Sequence, residues 1–146
     1  MKIDENMANG LYCSIDWLSF TVLDSVDVET TLAEFGFSLE DFFECPKGAS
    51  GYRKMITLIG SNLRVLFEGN DNMGIHFDIS GSAMSDFYET YYKSCYNNET
   101  PFGELAIDME LDVVKSLFQR ISELGHITRL DLAIDNKKNI YYSVRQ

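Results

Sequence analysis

The stretch from Thr128 to Asp135 reads Thr-Arg-Leu-Asp-Leu-Ala-Ile-Asp, and it joins residue types that can do chemistry to the alternation of a strand. Side chains two apart share a strand face, so Leu130, Leu132 and Ile134 make an apolar stripe while Arg129, Asp131, Ala133 and Asp135 line the other side. Two carboxylates around a small alanine leave open space, which is what a divalent cation or a phosphate requires. At ~3.3 Å per residue the acids stand roughly 13 Å apart on a straight strand, so both reach one ion only where the chain bends or bulges. Asp16, in an early strand, and His76, in a middle one, supply further donors. The expectation is an Mg²⁺ or Mn²⁺ centre drawn from Asp131, Asp135, Asp16 and His76 that clamps a phosphodiester, with Arg64 and Arg129 on the same face. The competing reading is an ordinary solvated face of a one-sided sheet, and Glu68 and Asp78 fit that reading better.

Tyrosine can also attack phosphate, forming a phosphotyrosine, and Tyr91-Tyr92 is a pair on a helix. The chain has eight tyrosines, mostly at core-like spacing, so packing is the stronger reading for this pair and for Tyr141 and Tyr142.

The elements that must position these groups follow from pattern. Residues 11–22 read as a first strand, in which Ile15 and Trp17 fall on one side and Ser14 and Asp16 on the other, although Leu18 and Phe20 share the parity of Asp16. Asp27 caps a short helix with Val28, Leu32 and Phe35 on one face, and Ser38 with Asp41 marks a second helical start that buries Leu39, Phe42 and Phe43. Strands over 52–59 and 62–68 flank Gly60-Ser61, a pair suited to a type II′ hairpin, and Gly69-Asn70-Asp71-Asn72 leads into a strand over 73–79. There Met73, Ile75, Phe77 and Ile79 alternate with Gly74, His76, Asp78 and Ser80. A helix from Gly81-Ser82 to about Asn97 carries Met84, Phe87, Tyr88, Tyr91, Tyr92 and Cys95 as its stripe. After an acidic connection over 98–109, a second helix over 110–124 ends at Gly125, and 139–144 add an edge strand. The predicted fold is α+β: a mostly antiparallel sheet with helices packed on one face and the opposite face open.

Composition bounds the rest. With 146 residues and 45% hydrophobic content, a flexible segment over 1–10 and a single domain over 11–146 are expected. Cys13, Cys45 and Cys95 are odd in number and widely spaced, which points to reduced thiols in a cytoplasmic protein. Neither a signal peptide nor an apolar run of about 20 residues is present, so no membrane contact is expected. The net charge of −11 opposes non-specific binding to a nucleic-acid backbone, where affinity comes from Lys and Arg displacing counterions. Action on nucleic acid then calls for a cation that screens the acids or for a basic protein partner.

Three strings carry a family resemblance: Ser14-Ile15-Asp16-Trp17-Leu18-Ser19-Phe20, then Met73-Gly74-Ile75-His76-Phe77-Asp78-Ile79-Ser80-Gly81, and above all Thr128 to Asp135. Together they resemble the N-terminal part of the Rep_trans family, the replication initiators of rolling-circle plasmids and related relaxases of conjugative elements. The resemblance implies a metal-dependent enzyme that nicks one DNA strand and keeps the 5′ phosphate on a tyrosine. It places Asp131 and Asp135 near the metal and gives Arg129 the task of orienting a carboxylate or contacting phosphate. The nucleophilic tyrosine of that family is expected downstream of this strand. A second class of function fits the charge: a small acidic phage or plasmid inhibitor, such as an anti-CRISPR protein that binds an RNA-guided nuclease or causes loss of its guide RNA. An oligomerising structural domain is the third.

Overall fold

The computed structural model describes residues 2–3, 11–23, 27–96, 111–136 and 141–145. Among them, eight strands make one antiparallel sheet: β1 (Lys2–Ile3), β2 (Leu11–Val22), β3 (Phe42–Glu44), β4 (Lys54–Leu58), β5 (Leu63–Phe67), β6 (Ile75–Ser80), β7 (Gly125–Asn136) and β8 (Tyr141–Arg145). The spatial order is β3-β4-β5-β6-β2-β7-β8, with β1 paired to β2 through Lys2 and Ile3. Helices α1 (Val28–Ala33), α2 (Ala83–Cys95) and α3 (Leu111–Leu124) cover one face, as the alternation of the strands predicts. The acidic connection over 98–109 lies outside the described residues.

The covered face explains why these segments hold together. Leu18, Phe20 and Val22 of β2, Leu63 and Val65 of β5, and Ile75, Phe77 and Ile79 of β6 are buried against Leu32, Phe35, Met84, Phe87, Tyr91, Leu117 and Ile121. Phe20 stacks on Phe77 with ring centroids 4.6 Å apart, and Phe35 lies against both. Such aromatic pairs contribute about 0.5–1.5 kcal/mol beyond the area they bury. Tyr91 and Tyr92 belong to this layer: both are buried, and the Tyr91 hydroxyl is 2.7 Å from Ser116 Oγ on α3. They face the underside of the sheet, away from its open side. The side chains of Tyr141 and Tyr142 lie outside the described residues.

Several local expectations hold. The Asp27 carboxylate caps α1 by accepting from the Thr30 N–H at 2.8 Å, and Asp41 accepts from the Ser38 N–H at 3.0 Å. Others change. The second helical start is a single 3-10 turn, Leu39–Asp41, that runs straight into β3, so Phe42 is buried while Leu39 and Phe43 are exposed. Cys95 is exposed at the end of α2, beyond the packed stripe. Gly60 has φ of +79° at the third position of the turn closed by the Ser61 N–H on the Leu58 carbonyl; type II′ needs its glycine at the second. Gly125 is no left-handed helix cap: it is the first residue of β7, where a Cβ would stand 1.7 Å from the Thr21 carbonyl oxygen. Glycine is required there by close approach of two backbones.

The largest difference lies in β2. Ile15 pairs with Leu132, but Trp17 pairs with Asp131, so Asp16 is the extra residue of a β-bulge. A second bulge on β7 follows, because Ser19 pairs with Arg129 while Phe20 pairs with Ile127. Each strand gains one residue, and the outer register closes again at Val22 opposite Gly125. Ile15 and Trp17 therefore lie on opposite faces. Ile15 is buried in the core and Trp17 reaches the open side. The parity conflict of Leu18 and Phe20 with Ile15 was the mark of this bulge in the sequence.

Candidate functional site

On the open face, β-pairing lines up Arg64 of β5, Asp78 of β6, Ser19 of β2 and Arg129 of β7 in one row across the sheet. The adjoining row holds Ser80, Trp17 and Asp131. Asp78 is the hub. Its Oδ1 accepts from Trp17 Nε1 at 2.9 Å and from Ser19 Oγ at 2.7 Å, while its Oδ2 accepts from Arg64 Nη2. Burial works against its charge, but the hydrogen bonds from Ser19, Arg64 and Trp17 and the charge of Arg64 outweigh it, and its pKa falls below the ordinary carboxylate value.

Arg129 completes the ladder. Its guanidinium carbon lies 3.7 Å from the centroid of the Trp17 ring, and its Nε and Nη2 donate to Asp131 Oδ2 at 3.2 and 2.7 Å. Asp131 is 3% exposed and lies on the same side of β7 as Arg129. The ladder from Arg64 to Asp131 thus pairs two arginines with two aspartates, and Asp16 adds a further carboxylate within electrostatic range of Arg129.

His76 belongs to a different row. It pairs across β2 with Thr21, whose Oγ1 is 2.9 Å from His76 Nδ1, and Thr21 pairs in turn with His126. Burial lowers the His76 pKa; Asp78 pulls it up, and Arg64 and His126 push it further down. Thr21 and Trp17 are four residues apart on β2, so the rows of His76 and Asp131 are separated by roughly 13 Å along the strand. These two expected metal ligands do not share a centre.

The remaining expected donors fare unevenly. Asp16 is exposed on the bulge at the rim of the face. Glu68 leaves the sheet with φ of +55° and pairs with Arg53 and Lys54 at the edge. Asp135 sits in β7 opposite Tyr12, and its side chain lies outside the described residues. Among the described residues, no three of His, Cys, Asp and Glu stand close enough to hold one metal ion. The carboxylates that reach the ladder, Asp78 and Asp131, are each paired with an arginine. Trp17, Ser19 and Arg64 are the residues that organise this face, and pattern reading had set Trp17 on the wrong side.

Among the described residues no disulfide forms; Cys45 is half-buried, with its Sγ 3.2 Å from Thr57 Oγ1. No described helix is long and apolar enough to cross a membrane.

No family model and no curated protein matches the chain. Among solved structures, it is similar to the rolling circle replication initiator protein from Geobacillus stearothermophilus, with 25% identity and a TM-score of 0.56. The likeness covers 87% of this chain and 45% of that protein, so the chain spans a little under half of the initiator's length.

Proposed function

We propose that this chain is a replication-initiator-type domain, of the Rep_trans kind, that holds a single nucleic-acid strand on the open face of its sheet. The observation that carries this reading is the ladder of Arg64, Asp78, Trp17, Arg129 and Asp131 on the face of the sheet opposite the described helices, in a fold similar to that of an initiator. In so acidic a protein, the two arginines of this strip lower the repulsion that its acids impose on a phosphate backbone. The proposed activity is binding, and no chemical step is assigned to a metal.

The test is fluorescence anisotropy with labelled single-stranded DNA, single-stranded RNA and duplex DNA. Single strands should bind more tightly than duplex, with a log–log salt slope no steeper than about −1.4, the value for two neutralised phosphates at roughly −0.7 each. Failure of every strand to bind at low salt would overturn the proposal. With Mn²⁺ added, the strand should stay intact; cleavage that disappears in Asp131→Asn would instead restore the metal-dependent nicking that the family resemblance implies.

The net charge of −11 favours a second reading, in which the chain occupies the basic nucleic-acid channel of a protein partner, an RNA-guided nuclease being one class. A cleft of about 510 Å³ beside α2, bordered by Glu40, Asp41, Asp86 and Glu89, adds acidic surface outside the ladder. This reading expects no strand binding by the chain alone and salt-sensitive loss of strand binding by the partner when the chain is added.

A further inference from the structure

We infer that Arg129, laid on Trp17, is a stacking platform for one nucleobase of a single strand, and not a phosphate contact. The inference rests on the nucleic-acid reading above and names the ligand group that this part of the face takes. Arg129 is held from two directions. One face of the guanidinium lies on the indole at 3.7 Å, and one edge is fixed by two N–H donors on Asp131 Oδ2. The indole is itself immobilised, since its Nε1 donates to Asp78 Oδ1 at 2.9 Å and to Ser19 Oγ at 3.1 Å. Neither group spends orientational freedom when a ligand arrives.

Part of the Arg129 side chain stays open to solvent. The Arg129 side chain keeps 31% exposure while that of Asp131 keeps 5%, so the guanidinium shields the carboxylate and presents itself outward. A planar delocalised cation on an aromatic ring is a surface on which bases stack. Its charge is a poor recruit for phosphate, because Asp131, Asp78 and Asp16 all lie within electrostatic range of it. A neutral base escapes the repulsion that those acids impose on a phosphate. Stacking also tolerates any base, because every base offers a π face.

The chain contains a single tryptophan, so the emission of Trp17 reports on the platform directly. Titration with an oligothymidine should change that emission, and an abasic strand of the same length and charge should bind roughly 10- to 100-fold more weakly, the range expected for loss of base stacking. Arg129→Lys keeps the charge and removes the plane. It should lose at least about tenfold in affinity while the salt slope stays that of the unaltered chain, whereas at a phosphate contact the lysine would keep both the slope and the affinity. Equal binding of the abasic strand, or unaltered affinity in Arg129→Lys, would overturn the platform while leaving strand binding in place. If no strand binds at all, the broader reading falls and the platform with it. Should Arg129→Lys fail to fold, the comparison of intact and abasic strands on the unaltered chain decides alone.

Discussion

Asp78→Ala tests whether one carboxylate organises the open face. Asp78 accepts from Trp17, Ser19 and Arg64, and its side chain is 13% exposed. Removal does not orphan all three donors. Trp17 Nε1 retains Ser19 Oγ at 3.1 Å, and Arg64, with 44% side-chain exposure, turns to water. Ser19, 4% exposed, is the group left without its acceptor, at a cost of about 1–3 kcal/mol. Loss of the charge-assisted bond from Trp17 adds about 1 kcal/mol and loss of the half-exposed Arg64 pair at most about 1 more. The expected destabilisation is about 2–5 kcal/mol, or roughly 6–15 °C in Tm for a chain of this size. Urea unfolding followed by far-UV circular dichroism measures it, and Trp17 emission should shift red in the native baseline as the indole loosens. Asp78→Asn keeps an acceptor for Trp17 and Ser19 and should cost less than half as much. A loss under about 0.5 kcal/mol in Asp78→Ala, with native emission unchanged, would refute the hub role.

Two further outcomes follow from the same coordinates. For pH, burial holds His76 neutral below the usual imidazole value of 6.5, so beneath that pH the unfolded chain takes up a proton that the folded chain refuses. Asp78 is depressed below 3.8, so its contribution is present above that value and is lost as pH falls through its folded pKa. Urea midpoints should therefore decline in two stages on acidification, and His76→Gln should remove the first stage only; a single decline confined to the carboxylate range would contradict the His76 assignment. Gly125→Ala drives a Cβ into the Thr21 carbonyl where β2 meets β7, and should cost more than about 3 kcal/mol or prevent folding. Thermal melts that place it within 1 kcal/mol of the unaltered chain would show that the two strands separate there easily.

Much of the fold follows from local pattern. Clean alternation in Ile75–Ser80 sets one side of β6 in the core and the other in the open face, and helical spacing in Ala83–Cys95 buries Met84, Phe87, Tyr88, Tyr91 and Tyr92. Alternation also puts Arg129 and Asp131 on one side of β7, and there they meet. These features depend on residues near in sequence, whose side-chain directions the backbone period fixes.

The face itself depends on contacts that no local period contains. The bulge at Asp16 reverses the parity of β2 and turns Trp17 toward Arg129, and the answering bulge in β7 restores the register at its far end. Pairing between strands more than a hundred residues apart selects those slips, because the buried Ile15, Leu18 and Phe20 must all reach one core. Position along a strand likewise separates His76 from Asp131, although both lie on the same side of the sheet. Residue types announced the chemistry available to this chain; long-range register chose which of those groups touch, and it set Arg64 against Asp78 across two strands.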